Sequence, residues 1–310
     1  MSVSTAGAER ERSVTVARSA TRRGRLNLLA LVSLIAVTVV WGGTFVVVKD
    51  VTRQASPMDF LAVRFLIATA VLAALRPRRG LKLSRRQLGH GVLLGLALGV
   101  AYIGQTYGQQ HTSASMSGFI TGLSVVFTPV IAGLFLRYRI GPATWCAVVI
   151  ATAGLGVMSL RGFAIGPGES LTLLCALFFA LHIVALSEWS TARDAPALTV
   201  VQLGVVGVLC LALGAPDGIT VPMDWGFWIP VIGLAVVATA AAYLMQTWAQ
   251  ARLPASVAAI ILTLEPVFAG VFGVLVDHDE LTGRIIIGGA LVVGAMYLAE
   301  FRSGATSSKA

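Results

Sequence analysis

Charge is what this sequence has least of. Only 12% of its residues are charged, against about 25% in an ordinary soluble domain. That leaves too little polar surface to cover a water-soluble globule, and it excludes the two-domain soluble enzyme that 310 residues would otherwise suggest. Cysteine is also scarce. Cys146, Cys175 and Cys210 each sit inside an apolar block, which excludes a disulfide framework and any CxxC metal spacing and reads as small buried hydrophobes. The sequence has no GxxxxGK[ST] phosphate loop, no HExxH and no GxSxG, so neither an ATP-driven pump built on this chain alone nor a zinc or serine hydrolase is expected. An intramembrane enzyme would have to rest on Glu265 or His182, and neither has a recognisable nucleophile–base partner. No enzyme activity, cofactor or metal is therefore expected. The net charge is +9, but no basic face is interleaved with aromatics, so nucleic acid is not an expected partner.

What is present is apolar and comes in blocks. Hydrophobic residues make up 56% of the chain, and the mean hydropathy is +0.84. The blocks run near 20 residues, the length of helix that crosses a ~30 Å hydrocarbon core. They are continuous rather than alternating, which favours helices over a barrel. Ten spans are predicted: 28–49, 57–75, 88–109, 113–136, 141–160, 169–187, 196–214, 226–248, 254–276 and 283–300. Arg22, Arg23 and Arg25 precede the first block and mimic a signal peptide, but the run over 26–48 is longer than a signal h-region. It reads as an uncleaved first span behind a basic disordered tail at 1–24. A second short tail is expected at 302–310. With the N-terminus inside, eighteen Lys and Arg fall on the cytoplasmic side, while Lys49, Arg53, Arg161 and Arg284 fall on the other. By the positive-inside rule both termini are cytoplasmic.

The chain repeats itself at an offset of 141 residues. AYIGQTYGQQHTSAS at 101–115 matches AYLMQTWAQARLPAS at 242–256 in seven of fifteen positions, including Tyr102/Tyr243, Gln105/Gln246, Thr106/Thr247 and Gln109/Gln250. Two units of five spans result, at 25–160 and 161–301. An odd number of spans means that the second unit enters the membrane from the opposite side. The fold expected is an all-α integral membrane protein of ten helices in two inverted five-helix repeats, an architecture of secondary transporters with the substrate between the halves.

The motifs point the same way. Trp41-Gly42-Gly43-Thr44-Phe45 with Lys49 lies in the first span, and Pro57 with Arg64-Phe65 in the second. TSASMSGFITGLSVVFTPV occupies 112–130, and Gly154-Leu155-Gly156 closes the fifth span. Leu264-Glu265-Pro266-Val267 lies in the ninth, and Glu280-Leu281-Thr282 precedes the tenth. In order and spacing these motifs resemble the EamA-type ten-helix members of the drug/metabolite transporter superfamily. The resemblance covers most of 28–300. It implies a carrier of the plasma (inner) membrane working by alternating access, often an exporter of amino acids, metabolites or drugs. The chain departs from the pattern in Arg137-Tyr138-Arg139, where the family often has an acid. It also departs in Thr128-Pro129, where the ninth span has Glu265-Pro266, and in His182, at a place where an aromatic is expected.

Several residues are candidates for the transport path. Glu265 is predicted near the middle of the ninth span, where a charged carboxylate costs about 2.5–3.5 kcal/mol and must be paired, protonated or facing water. It is read as a proton- or cation-coupling site or else a structural hydrogen bond, with Pro266 freeing a carbonyl one turn back. Arg64 could attract an anionic substrate group, pair with an acid, or snorkel to the interface. Lys49 reads as an interface anchor. Tyr102, Gln105 and Gln109 share one helical face, as do Tyr243, Gln246 and Gln250. Each stripe is expected to line its own vestibule, or else to glue helices together. Trp41 and Phe45 could form an apolar or cation–π wall, or pack in the core. His182 reads as a group that titrates near neutral pH or as a satisfied core histidine. The rows Gly91/Gly95/Gly99 and Gly118/Gly122 read as close helix contacts. Asp277-His278-Asp279-Glu280 reads as a solvated loop, with Glu280 supporting Arg284. The partners expected are a small molecule, the lipid bilayer and, as an option, protons. An uncoupled uniporter or channel-like facilitator of the same fold stays open as the alternative.

Overall fold

In the computed structural model, the described residues are 28–75, 83–136, 141–159, 166–190, 194–250 and 261–307. The expected tail at 1–24, Arg137–Arg139 and the expected start of the ninth span at 254 lie outside them. So do a few side chains within helices, including Gln250 and everything beyond residue 298.

Ten helical segments follow one another, and no strand occurs among the described residues. They are α1 (Leu28–Val51), α2 (Pro57–Ala74) and α3 (Arg85–Gln109). Next come α4a (Ala114–Gly122) with α4b (Ser124–Leu136), α5 (Pro142–Ser159), α6 (Pro167–Trp189) and α7 (Ala195–Gly214). The eighth, α8, runs from Trp225 to Gln250 in three pieces. The last two are α9 (Glu265–Leu275) and α10 (Gly283–Ser307). Seven of these segments are long and apolar enough to cross a membrane, and three shorter apolar helices lie in α5, α9 and α10.

Local chemistry sets the boundaries. Ser56 caps α2 by accepting the Asp59 N–H, and Pro57 takes the first helical position, where its missing N–H costs nothing. Ser84 and Gln87 form a reciprocal capping box, so α3 starts three residues before its apolar block. Asp224 caps α8. The last helix runs on to Ser307, past the expected end near 300. No proline follows the apolar span, and extending a formed helix by one residue costs little.

The surface carries large apolar side chains all around, among them Phe135, Trp145, Ile229 and Ile287. In water such an expanse would be an aggregation site, whereas in lipid it is the solvent-facing side. Cys146 is exposed here rather than buried, because a lipid-facing position is as apolar as the core.

Packing follows the inverted repeat. Helix α4 meets α9, α5 meets α10, and α2 meets α7, each a helix against its own counterpart. The α3–α7 contact is matched by α2 against α8. The α3–α6 contact is matched by α1 against α8, through Trp41. The glycine rows make these approaches close. A Cβ on Gly95 would lie 2.6 Å from Cβ of Val205, and one on Gly99 would lie 2.7 Å from Leu209. Gly118 is packed against Ala269, and Gly122 against Pro266 and Met296.

Candidate functional site

The repeat brings its two matching tyrosines together. Tyr102 from α3 and Tyr243 from α8 sit 141 residues apart, and their hydroxyls are 3.1 Å from one another. Separate vestibules for the two stripes are thus corrected at their first members. In an inverted pair of repeats, residues near the pseudo-two-fold axis approach their own counterparts, and these two do.

Around them lies a mixed aromatic and cationic cluster. Arg64, the eighth residue of α2, is 2% exposed. It does not snorkel. Its guanidinium carbon stands 5.9, 5.4 and 5.3 Å from the ring centroids of Phe60, Phe65 and Tyr102. Its Nε donates to Thr239 Oγ1 at 2.9 Å. Phe65 and Phe179 both meet the Tyr102 ring edge-on. Trp41 tilts against Tyr243 at 5.5 Å and donates its Nε1–H to the Ala238 carbonyl at 2.8 Å.

Those contacts converge on an irregular stretch of α8. Leu234–Ala241 is π-helical, and the Thr239 hydroxyl donates back to the Leu234 carbonyl at 2.9 Å. π-Turns inside α-helices are concentrated at functional sites, because they re-aim side chains and strain the backbone ladder. Ala238 and Thr239 in this stretch receive side chains from α1 and α2 at once. No sequence signal marks it, since the apolar pattern of 226–248 is that of an ordinary span.

A second irregularity is doubled. Helix α4 is interrupted between Gly122 and Ser124, and α9 starts afresh at Glu265 after a turn at Thr263-Leu264. These interruptions are 141 residues apart, with Leu123 and Leu264 at the joints. Ser124, rather than Thr128, is thus the counterpart of Glu265. Pro266 lies in the first turn of α9, so it starts a helix instead of breaking one, correcting the expected mid-helix break. Glu265 is half-buried and has no side-chain hydrogen bond or ion pair among the described residues. It lies within electrostatic reach of Tyr102, Tyr243 and Cys175.

The remaining candidates divide. Phe45 separates from Trp41: it is 1% exposed and packs with Ala114 and Ala269, which makes it core rather than a cation–π wall. The cation–π partners of Arg64 are Phe60, Phe65 and Tyr102 instead. Gln105 donates to Thr121 Oγ1 at 3.4 Å. Gln109 is buried, and its Oε1 accepts no hydrogen bond among the described residues. Gln246 is half-buried, and the side chain of Gln250 lies outside the described residues. His182 Nε2 and Gln202 Oε1 are 2.6 Å apart, a satisfied histidine between α6 and α7.

One end of the bundle is tied across the halves. Lys49 at the end of α1 pairs with Asp277. Asp279 accepts the Ser115 N–H at 2.9 Å, at the start of α4a. Within the first half, Gln110 donates to the Thr52 carbonyl at 3.2 Å. The acidic loop is therefore pinned at two positions rather than solvated, and Lys49 is an ion-pair partner as well as an end-of-helix residue. Arg284 donates its Nε–H to the Val157 carbonyl, which ties α10 to α5 where support from Glu280 was expected. No group of three or more metal-ligating side chains occurs among the described residues.

Comparison with known proteins agrees with this geometry. The EamA-like transporter model matches residues 28–160 and again 166–301. The chain belongs to the EamA-like transporter family. An uncharacterized transporter of Archaeoglobus fulgidus is 31% identical over 280 residues, covering 90% of this chain and 88% of its own. The threonine/homoserine exporter RhtA of Salmonella typhimurium is 24% identical over 280 residues, covering 89% and 92%. A solved crystal structure superposes with a TM-score of 0.67 at 17% identity, over 91% of this chain and 99% of its own, which speaks to the fold alone. This EamA-family protein is a multi-pass membrane transporter and not an enzyme.

Proposed function

We propose that the protein is a secondary transporter, working as an exporter of a small amino-acid-like or drug-like metabolite by alternating access. The observation that carries this reading is the meeting of Tyr102 with Tyr243 amid Arg64, Trp41 and the π-helical stretch. A polar cluster on the axis between inverted repeats can face either side as the halves rock. Support for export comes from the distant likeness to RhtA.

In this reading, Trp41, Arg64, Tyr102 and Tyr243 surround the substrate. Gln105, Gln109, Gln246 and Gln250 extend the path toward the two ends, while Phe45 packs the gate between α1, α4a and α9. Glu265 exchanges a proton or small cation as the halves move. A carboxylate at a helix break, with no ion pair among the described residues and within reach of the same tyrosines, can link its own charge to occupancy of the site. Positive-inside counting puts both termini in the cytoplasm, so the end tied by Lys49–Asp277 and Asp279–Ser115 faces outward. Opening this end to release substrate would part those two ties.

Counterflow in proteoliposomes, with a mixed panel of amino acids and small metabolites, tests the carrier. Saturable exchange of one compound class is expected. An imposed proton gradient then separates a coupled carrier, which concentrates that compound, from a facilitator, which only equilibrates it. Well-folded protein that exchanges nothing on the panel would contradict the carrier reading.

A further inference from the structure

We infer that Arg64 is the docking point for a carboxylate of the transported molecule, and that the site selects monoanionic or zwitterionic substrates over neutral ones. This rests on the transporter reading above and narrows it to a substrate class.

Arg64 carries five N–H donors in a fixed fork. One of them, Nε–H, is used on Thr239. Among the described residues no carboxylate pairs with Arg64, the ion pairs there being Lys49–Asp277 and Arg53–Asp50. Three rings stand 5.3 to 5.9 Å from the guanidinium carbon. They attract the cation but do not replace a charged acceptor for its two terminal nitrogens, from which no hydrogen bond is made among the described residues. A buried charge that lacks a counter-ion is unfavourable, and this one lies in the central polar cluster of the bundle. A ligand carboxylate meets both needs: it neutralises the charge, and its two oxygens match the outer side of the fork. Thr239 holds the opposite side, so the fork is already aimed.

The surroundings set the ligand's charge. No second Lys or Arg is in contact with the Tyr102–Tyr243 cluster among the described residues, so one negative charge is balanced and two are not. Glu265 is felt electrostatically by the same two tyrosines that feel Arg64. It would repel a dianion and attract a cationic group on the far part of the ligand. Phosphate monoesters are thereby disfavoured, and a zwitterion with its carboxylate on Arg64 is favoured. The matching position in the other repeat is Val205, so the site exists once per chain.

The test is counterflow in proteoliposomes with matched pairs: α-amino acids, the corresponding α-amides, and α-hydroxy acids. The acids are expected to exchange, and the amides to exchange about a hundredfold less well, since a site built to hydrogen-bond a group discriminates strongly against its absence. Arg64→Gln should raise the half-saturation concentration for acids far more than for amides, so that the acid-to-amide ratio collapses. Arg64→Lys, which keeps the charge but loses the fork, should fall between. Thr239→Val keeps the guanidinium and frees its Nε, and it should raise the half-saturation concentration for acids selectively. Amides exchanged as well as acids by the wild-type protein would overturn the assignment and leave the transporter reading standing. So would an Arg64→Gln protein with wild-type half-saturation for acids. If no compound of any class exchanges, the transporter reading itself fails and this assignment falls with it.

Discussion

Helices α4 and α9 are interrupted at the same register of the repeat, yet they carry different groups there. Ser124 begins the second piece of α4 and is buried. Glu265 begins α9 and is half-buried. The same division recurs across the molecule. Tyr102 and Tyr243 are identical and touch, whereas Arg64 corresponds to Val205 and Trp41 to His182. His182 turns to Gln202 of α7, while Trp41 turns to the backbone of α8. Lys49 and Asp277 correspond to Ser190 and Leu136, so the ion pair that ties one end has no counterpart at the other. The helix interruptions are doubled because two inverted halves need two gates of the same mechanical kind, whereas the π-helical stretch of α8 corresponds to unbroken α-helix in α3. Charged groups are single because each buried charge in a membrane carries a large desolvation cost, and one of each suffices for one substrate.

That contrast can be broken most severely by moving the carboxylate. Placing it on the other half, as Ser124→Glu with Glu265→Gln, should leave gradient-driven transport lost by at least about tenfold, since α4 lacks the half-open surroundings of Glu265. Restored transport would show the halves to be chemically interchangeable. Next comes packing. A Cβ on Gly42 would sit 2.5 Å from Cβ of Phe268 and 2.8 Å from the Ala269 backbone nitrogen, whereas one on Gly43 meets only a ring edge at 3.5 Å. Gly42→Ala should destabilise by about 1–3 kcal/mol and Gly43→Ala by much less. Thermal unfolding in detergent reads the difference, and equal effects would place the close approach elsewhere.

The end pair is a smaller effect. Lys49→Gln and Asp277→Asn should each weaken closure by about 1 kcal/mol or less, as for partly exposed ion pairs. Their effects on transport rate should be similar and should not add in the double variant. Additivity would mean that the two residues act apart. Smallest is the tyrosine contact. In a Tyr102→Phe, Tyr243→Phe double-mutant cycle, the coupling energy should be near 0.6 kcal/mol, the average for hydrogen bonds between membrane helices. A coupling near zero would make the contact incidental.

The sequence carried the fold well, because its signals were long. Twenty-residue apolar blocks and a fifteen-residue match at offset 141 need no tertiary information. Glu265, Arg64, Tyr102 and Tyr243 stood out because polar groups in apolar spans are rare. Their partners were another matter. Thr239 and Phe179 look like ordinary span residues, and only packing brings them to Arg64 and Tyr102, whereas Phe60 lies one helical turn before Arg64. The π-helical stretch at 234–241 arises from how α8 meets α1 and α2, so no local pattern announces it. Pro266 misled because a proline within an apolar run reads equally as a kink or as a helix start. The pinned acidic loop was missed for the same reason, since Lys49 and Ser115 lie far from it in sequence.

The most direct test of a single coupling carboxylate in a doubled scaffold pairs two assays on the same Glu265→Gln proteoliposomes: counterflow, and uptake driven by an imposed proton gradient. Counterflow persisting while gradient-driven accumulation disappears is the expected result. Accumulation against the gradient at the wild-type rate would contradict it and remove Glu265 from the coupling step.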